Sequence, residues 1–210
     1  MSIVNSIDTI TDWARENICS KIMLKVPPTN GKDGKDYNTE YALKNPEAFP
    51  IYIPPQNRSQ PSPAVVAAPD IDRPNCPCLC VKVTAGDDRP MESKRKLKIM
   101  FLFCAWEPGL HEKDIYMPNG DGTFKHIESD EFRRNTDGWR DACNFLDIAL
   151  RELENVYTIG NLRIVHEDNI QSGPMTDQEI YPANHPYFYA WCEFAVEEAL
   201  MRKSPYQDQL

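Results

Sequence analysis

The clearest hydrophobic pattern in the chain is an amphipathic stripe over Gly138 to Leu153. This spacing of three and four residues lines one face of an α-helix. Thr136 offers an N-cap oxygen, and Asp137 places negative charge in the first turn. The pattern therefore predicts a helix that buries one side. Its apolar residues are Trp139, Ala142, Cys143, Leu146, Ala149, Leu150 and Leu153.

A second helical pattern lies earlier, over Ile7 to Leu24. Ser6 or Asp8 can cap its first turn. We expect the helix to end near Cys19 to Lys21 and to continue as an extended segment. Pro27 stops that segment because proline lacks a backbone N–H and fixes φ. This helix is expected to cover one side of a sheet through Ile7, Ile10, Trp13, Ala14, Ile18 and Ile22.

Further segments show the apolar patterns of β-strands. The run after Ile99 is apolar on both faces, as in a central strand. The segment after Pro186 also fits a helical stripe, but its aromatic residues favour a strand to about Glu197. The elements together predict an α+β fold, with a mixed, mostly antiparallel sheet packed against the N-terminal helix and the central amphipathic helix. The predicted strands are Leu79–Val83, Leu97–Cys104, Leu162–Val165 and Tyr187–Val196.

Three connections are recognised by composition. Gly86 to Arg95 is highly charged and is expected to lie at the surface. The sequence from Glu107 to Arg134 is turn-rich, and Asn119 to Gly122 is typical of a hairpin tip. Ser172 to Pro186 contains three prolines and is predicted to be another loop.

The segment from residue 27 to residue 77 holds 11 of the 18 prolines and lacks periodicity. Only Phe49 to Ile53 is compatible with a short strand. A segment of this length without regular structure indicates a binding arm, a lid or a linker, and an ordered meander packed on the core fits equally well. The expected organisation is an N-terminal helix at 1–26, a Pro-rich extended arm or insert at 27–77, an α/β core at 78–198 and a tail at 199–210.

Charge and hydropathy exclude some classes of function. With 32 acidic and 23 basic residues the net charge is −9, which argues against a surface that coats nucleic acid. The longest apolar run, Ile99 to Trp106, is too short to cross a bilayer, and the first residues lack a secretory signal. We therefore expect a protein that is cytosolic when made, with no membrane partner and no sequence-specific nucleic acid.

The seven cysteines are odd in number and dispersed among predicted elements, which favours free thiols. Cys76, Cys78 and Cys80 invite a zinc interpretation, but zinc ligands usually come as two separate pairs. A strand through this segment points the thiols along one face instead of converging them. We expect buried core thiols, no metal and no redox chemistry.

Known catalytic motifs are not found in the sequence. His111-Glu112 lacks the second histidine of a metalloprotease, and the glycine-rich turn at Asn119 lacks the remaining ligands of a calcium loop. The sequence predicts no cofactor. A hydrolase-like enzyme with a dispersed site of His126, His166 or His185 and carboxylates stays open as an alternative. So does an adaptor that binds a partner through the Pro-rich arm.

The order of these elements and several of their sequence motifs resemble those of a known family. They comprise an N-terminal helix, a Pro-containing extended segment, two core strands, a long loop, a helix that opens with Gly138-Trp139, and the ending Pro-Tyr-Phe-Tyr-Ala-Trp-x-Glu at Pro186 to Glu193. Together they resemble the tail-terminator and neck (head–tail completion) proteins of long-tailed bacteriophages. The resemblance covers about Ile7 to Leu24 and Val81 to Val196, whereas the Pro-rich insert departs from it.

The resemblance implies a non-enzymatic structural subunit without a cofactor. Its partners would be copies of itself in a ring, commonly hexameric, the tail tube protein, the sheath protein in some tails, and the head connector or stopper protein. It would lie at the tail–neck junction of the virion and in the host cytoplasm during assembly. The implied interface regions are the loop from Asp114 to Arg134 and the aromatic residues near the end of the core. An alternative for the aromatics is a sheet face covered by the N-terminal helix. The candidate interface residues are Asp121, Arg133, Arg134, Tyr187, Tyr189 and Trp191.

Overall fold

The computed structural model confirms the predicted fold class: a curled, mostly antiparallel sheet carries an N-terminal helix and one further helix. It describes residues 2–26, 43–54, 75–107, 110–111, 115–118, 124–127, 132–133, 138–175 and 187–199. The helices are α1 (Ile3–Asn17) and α2 (Gly138–Asn155), and short 3-10 turns cover Cys19–Lys21 and Pro90–Glu92. The strands are β1 (Leu24–Lys25), β2 (Leu43–Lys44), β3 (Glu47–Pro50), β4 (Cys78–Arg89), β5 (Lys94–Trp106), β6 (Leu110–His111), β7 (Ile115–Pro118), β8 (Phe124–Ile127), β9 (Phe132–Arg133), β10 (Thr158–Ile159), β11 (Leu162–Ile164), β12 (Gln171–Pro174) and β13 (Tyr187–Ala199).

The main sheet contains seven strands. Six of them follow the order β10-β11-β13-β5-β4-β3, and β12 pairs with β13 beside β11. The pairs β1–β2, β6–β9 and β7–β8 form separate two-stranded ladders. All pairs are antiparallel except β3–β4, which is parallel. The sheet is therefore mixed but mostly antiparallel.

Helix α1 begins earlier than the sequence predicts. The Ser2 side chain accepts a hydrogen bond from the Asn5 backbone N–H at 3.2 Å and so caps the helix. The expected caps Ser6 and Asp8 lie inside the helix, so that prediction was wrong. The Ser6 hydroxyl is buried and instead donates to Glu198 at 2.8 Å. The helix thus gains an extra turn, and the side chain of its predicted cap binds another element.

Helix α2 begins at Gly138, as predicted, and ends at Asn155, two residues past the predicted end. The expected cap residues Thr136 and Asp137 lie outside the described residues. A Cβ atom on Gly138 would lie 2.3 Å from Phe188 Cδ2 and 2.6 Å from Glu107 Cβ. Only glycine fits here without displacement of neighbours, so the first turn of α2 can pack directly on β13.

Strands β4 and β5 form one long hairpin. The charged stretch expected as a loop is instead part of its two arms, since Asp87 pairs with Lys96 and Asp88 with Arg95 in the ladder. The expectation of a connection from Gly86 to Arg95 was therefore wrong, although its exposure at the surface is confirmed for Gly86 to Arg89. Opposite charges that face each other across two strands stabilise such a ribbon.

Strand β13 lies at the centre of the sheet. It pairs with β5 over 13 consecutive residues, from Tyr187 opposite Trp106 to Ala199 opposite Lys94. The strand interpretation of this ambiguous segment is confirmed, and the helical alternative was wrong. On its other side β13 pairs with β11 and then β12. Strand β12 falls at the start of the predicted loop from Ser172 to Pro186, so that prediction was wrong for its first residues.

Part of the 27–77 range belongs to the main sheet. Strand β3 pairs in parallel with β4, from Glu47 opposite Cys78 to Pro50 opposite Val81. The predicted strand from Phe49 to Ile53 is therefore shifted towards the N-terminus. It ends at Pro50, and the next residue, Ile51, adopts a positive φ of 69°, outside the extended conformation of a regular strand.

Both helices pack on the same face of the main sheet, which we call the first face. Phe194 of β13 packs edge-on against Phe101 of β5, with ring centroids 5.0 Å apart, and Phe103 does the same with Phe145 of α2. The predicted packing of the sheet on the central helix is confirmed, since Leu146 and Leu150 of α2 and Phe194 of β13 belong to one core. The largest fully buried side chains are Phe101, Phe103, Phe145, Ile10, Ile18, Leu79, Leu97, Ile99, Leu153, Ile159, Leu162 and Val81.

Candidate interaction face

The opposite side of the main sheet, which we call the second face, carries a row of apolar side chains. Leu102 of β5 lies between Cys80 of β4 and Trp191 of β13, and Cys80 also pairs with Phe49 of β3. Cys80 is fully buried, whereas Phe49, Leu102 and Trp191 are partly buried. Because successive side chains of a strand point to opposite faces, this row lies outside the core beneath the helices.

Three thiols meet in the next rows of the second face. Cys78 pairs with Cys104, which pairs in turn with Tyr189. The sulfur atoms of Cys76 and Cys104 are 2.9 Å apart. The expectation that the thiols point along one face is confirmed for Cys78 and Cys80, but the expectation that they do not converge was wrong for Cys76 and Cys78. The neighbouring strand β5 supplies the third thiol, which the spacing within one segment cannot reveal.

Partly buried aromatic residues surround this thiol cluster. Phe49, Ile53, Tyr187 and Tyr189 pack against a small buried core of Cys76, Cys78, Cys104 and Trp106. Aromatic side chains present large contact areas with few rotatable bonds, and they are enriched at protein interfaces. We therefore regard their surface as the candidate interaction site. We call it the aromatic patch and define it as Phe49, Leu102, Tyr187, Tyr189 and Trp191.

Charged side chains border the aromatic patch along the same face. Glu193 accepts a hydrogen bond from Thr84 at 2.7 Å and pairs with Lys98 at 3.3 Å. Arg163 pairs with Glu197 at 3.1 Å further along β13. An apolar patch beside a polar, charged border is the usual anatomy of a protein interface. The border can set the orientation of a partner, while the patch provides the apolar contact area.

The edge of the second face contains a strained turn. The Tyr52 N–H donates to the Pro50 carbonyl at 2.8 Å around Ile51, and the Ile51 N–H donates to Val81 at 2.7 Å. A β-branched residue with positive φ is a conformational outlier. The turn redirects the chain so that Ile53 reaches the thiol cluster, while Tyr52 remains 68% exposed.

The structure places three of the predicted interface residues together. Tyr187, Tyr189 and Trp191 lie on the second face. The alternative in which the N-terminal helix covers them was wrong, because α1 belongs to the core of the first face. Arg133 lies in β9, where its backbone pairs with Leu110, and Asp121 and Arg134 lie outside the described residues.

The hairpin predicted around Asn119 to Gly122 is confirmed in its arms. Strands β7 and β8 pair antiparallel, with Pro118 opposite Phe124. The tip itself lies outside the described residues. The loop from Asp114 to Arg134 therefore includes β-structure, and the interface role predicted for it stays a prediction.

Of the three histidines of the enzyme alternative, the structure describes His126, in a strand, and His166, in a turn. His166 is exposed, with Nε2 2.9 Å from the Val156 carbonyl and its ring 5.4 Å from the Tyr157 ring. His126 lies in β8 opposite Tyr116, and His185 lies outside the described residues. Within the described ranges no group of three or more His, Cys, Asp or Glu side chains has a geometry that holds a metal ion.

Sequence reasoning missed two members of the aromatic patch and the convergence of the thiols. The alternation in the β5 segment already placed Leu102 and Cys104 on the same face. The register of β5 against β4 and β13 brings them beside Cys78 and Trp191. No local signal encodes that register, because it depends on strands distant in sequence.

No family model, curated protein or solved structure matches this chain. No helix among the residues that the structure describes is long and apolar enough to cross a membrane. The function is therefore inferred from the resemblance in sequence and from the chemistry of the second face.

Proposed function

We propose that this protein is a structural subunit of a bacteriophage tail, which caps the tail tube and forms part of the head–tail junction. Subunits assemble into a ring, commonly hexameric, on the last ring of the tube and stop its polymerisation. The ring then presents a surface to the head connector or stopper protein. This work requires shape and surface chemistry and no catalytic centre.

The fold is compatible with this role. The resemblance implies an α/β subunit, and the described residues form an α+β fold with an N-terminal helix on the core. The Gly138-Trp139 pair opens α2, and the aromatic motif that begins at Pro186 runs into the central strand β13. Gly138 and the aromatic strand therefore lie in closely packed positions, whereas Trp139 is 48% exposed.

The aromatic patch is the observation that carries the proposal. Trp191 and Tyr189 lie on the sheet face opposite both helices, and they are only partly buried. Large aromatic residues in a well-packed surface provide much of the binding energy in many interfaces. We infer that a neighbouring subunit or the tail tube protein packs on this patch.

The charge of the protein supports assembly that begins only on the tail tube. Exposed ion pairs such as Arg163–Glu197 contribute little to stability and are screened by salt. The net charge of −9 keeps separate subunits apart by repulsion. We expect the isolated protein to elute near its monomer mass of 24.1 kDa and to form rings only when the tube supplies a template.

The decisive experiment removes the gene from an assembling particle and complements it with variants. Loss of the gene should leave tails of uncontrolled length or tails that do not join heads in electron micrographs. Trp191→Ser should fold but fail to complement. Tyr157→Ser, which changes another aromatic residue with 76% exposure, should complement fully. Normal, attached tails without the protein would refute the proposal.

A second experiment tests the proposed role of the Pro-rich segment, which we expect to lie across a neighbouring subunit or the adjoining ring. Removal of Asn30 to Asp70 would also delete β3, so a narrower deletion of residues 56–73 is needed. The Asn75 N–H donates to the Pro54 carbonyl at 3.1 Å, so a short linker can join the two ends. The shortened protein should fold but join the particle poorly. Wild-type incorporation would contradict the arm hypothesis and leave the aromatic patch to be tested separately.

A further inference from the structure

The thiol cluster of Cys76, Cys78 and Cys104 has a geometry that simple core packing does not require. The Cys76 and Cys104 sulfur atoms are 2.9 Å apart. A disulfide bond is ~2.0 Å long, so a shift of about 1 Å brings this pair to bonding distance. Cys78 lies opposite Cys104 in the ladder, and all three residues are buried. One thiol thus has two thiol neighbours in a confined space.

The surroundings of Cys104 favour its thiolate. Burial opposes the charged form, but hydrogen bonding with Cys76, Cys78 and Tyr189 outweighs burial and holds the pKa of Cys104 below that of an ordinary thiol. Burial, followed by the hydrogen bond and charge of Cys104, raises the pKa of Cys76. The hydrogen bond to Cys104, followed by burial, raises that of Cys78. Of the three thiols, Cys104 is therefore the one whose surroundings favour the thiolate form.

Three cysteines outside the cluster, Cys19, Cys143 and Cys192, have surroundings that disfavour the thiolate. Cys19 and Cys192 are buried, and burial raises the pKa of each thiol to about 12. Burial and the charge of Asp147 raise the pKa of Cys143 on α2. Since the thiolate is the reactive form of cysteine, these three residues are poor nucleophiles. Cys104 combines a stabilised thiolate with an adjacent second thiol.

We propose that Cys104 and Cys76 form a reversible disulfide when the protein meets hydrogen peroxide, and that Cys78 remains reduced. The Cys104 thiolate attacks one peroxide oxygen, the O–O bond breaks, and hydroxide leaves, which produces a sulfenic acid on Cys104. The Cys76 sulfur then attacks the Cys104 sulfur, the S–O bond breaks, and the Cys76 proton leaves with the hydroxyl group as water. The pair loses two electrons, and the peroxide is reduced to water. A small thiol reductant reverses the bond by exchange.

This inference does not depend on the proposed function. It revises the expectation that the cysteines have no redox chemistry, although all seven thiols are free in the structure. Because the cluster is buried, the reaction requires a local opening that admits peroxide. We expect the bond to stabilise the junction of β4 and β5 beneath the aromatic patch, since it joins residues 28 positions apart.

The test treats the reduced, full-length protein with hydrogen peroxide, alkylates the remaining thiols under denaturing conditions and maps linked peptides by mass spectrometry. Two of the seven thiols should be lost, with a Cys76–Cys104 linkage that dithiothreitol reverses. Cys76→Ala and Cys104→Ala should abolish this linkage, whereas Cys78→Ala and the matched buried control Cys192→Ala should retain it. Fragment spectra must distinguish Cys76 from Cys78, which lie on the same tryptic peptide.

The wild-type linkage map decides the question even if a variant misfolds. A dominant Cys78–Cys104 bond, or oxidation of Cys143 while the cluster stays reduced, would overturn the proposal. So would stoichiometric zinc in the purified protein that protects all three thiols from peroxide.

Discussion

The two faces of the main sheet present different chemistry to their surroundings. On the first face, Phe101 and Phe103 are completely buried beneath both helices. On the second face, Leu102 of the same strand β5 and Trp191 of the neighbouring β13 are only partly buried. The residues alternate along β5 and β13, so the same backbone supports both surfaces.

This difference in burial suggests that the first face stabilises the fold and that the second face binds a partner. The first face joins α1, α2 and six of the main strands in one hydrophobic core and accounts for most apolar burial. The second face buries a small cluster around Cys104 and Trp106 and keeps aromatic area near the surface. Substitutions on the first face should therefore reduce stability, and substitutions of the aromatic patch should reduce assembly.

The largest expected effect comes from Phe194→Asp on the first face. Phe194 is 3% exposed, so the variant buries a carboxylate and should lose about 4 kcal/mol or more in unfolding free energy. Trp191→Asp on the second face should lose about 1–2 kcal/mol, because its carboxylate can remain hydrated. Urea denaturation followed by circular dichroism compares the two variants. Equal losses would break the distinction between the faces.

A smaller effect is expected for Gly138→Ala, at the contact of α2 with β13. The added methyl group would overlap Phe188 and Glu107, and we expect a loss of about 1–3 kcal/mol from overpacking. Gly173→Ala in β12 is the matched control, since nothing lies within 4 Å of its Cβ position. Thermal unfolding should show a lower midpoint for the first variant and little change for the second. An unchanged midpoint in Gly138→Ala would show that α2 sits less closely on the sheet.

The two faces should also differ in how much their charged side chains contribute to the unfolding free energy. Glu198 is 4% exposed on the first face, where it accepts from Ser6 and pairs with Arg95 at 3.0 Å. Glu198→Gln should cost about 1–2 kcal/mol, because Arg95 loses its buried partner. Glu197→Gln, which removes one partner of the half-exposed Arg163, should cost less than Glu198→Gln, and less still in high salt. Chemical denaturation at low and high salt checks both, and a larger loss for Glu197→Gln would reverse the comparison.

The smallest expected effect is an increase in the unfolding free energy for a substitution of Ile51, at the edge of the second face. Ile51→Gly removes the strain of a positive φ but adds backbone entropy to the unfolded chain. We expect a net increase of about 1 kcal/mol in unfolding free energy. Ile51→Ala retains a Cβ atom and should bring no comparable gain. Urea denaturation measures both variants. If Ile51→Gly has a lower unfolding free energy than Ile51→Ala, the strained turn is not a feature of the folded protein in solution.

Much of the first face follows from local patterns in the sequence. The three-and-four spacing after Gly138 predicts α2, and the apolar run after Ile99 predicts that β5 is a central strand. Burial on one side imposes this period on the sequence. The aromatic residues similarly identified β13 as a strand.

The remaining features depend on contacts between distant residues. Asp88 and Arg95 have the composition of a surface loop, and only their pairing across β4 and β5 makes them strand residues. The cap of α1 moves to Ser2 while Ser6 binds Glu198, 192 residues away. The thiol cluster requires the register of two strands. Sequence patterns indicate whether each residue is buried but not which distant residue it contacts. The hairpin pairing, the cap of α1 and the thiol cluster were therefore not predictable.

The position of β13 has a consequence for synthesis of the chain on the ribosome. Strands β4 and β5 can pair as soon as both have emerged, but one edge of β5 has to wait for residues 187–199. That edge displays unpaired backbone groups beside Phe101 and Phe103, and such edges promote aggregation of nascent chains. At typical translation rates of about 5–20 residues per second, the exposure lasts for seconds. A chaperone that shields this edge would therefore raise the yield of folded protein, whereas truncation before Tyr187 would leave the edge permanently open.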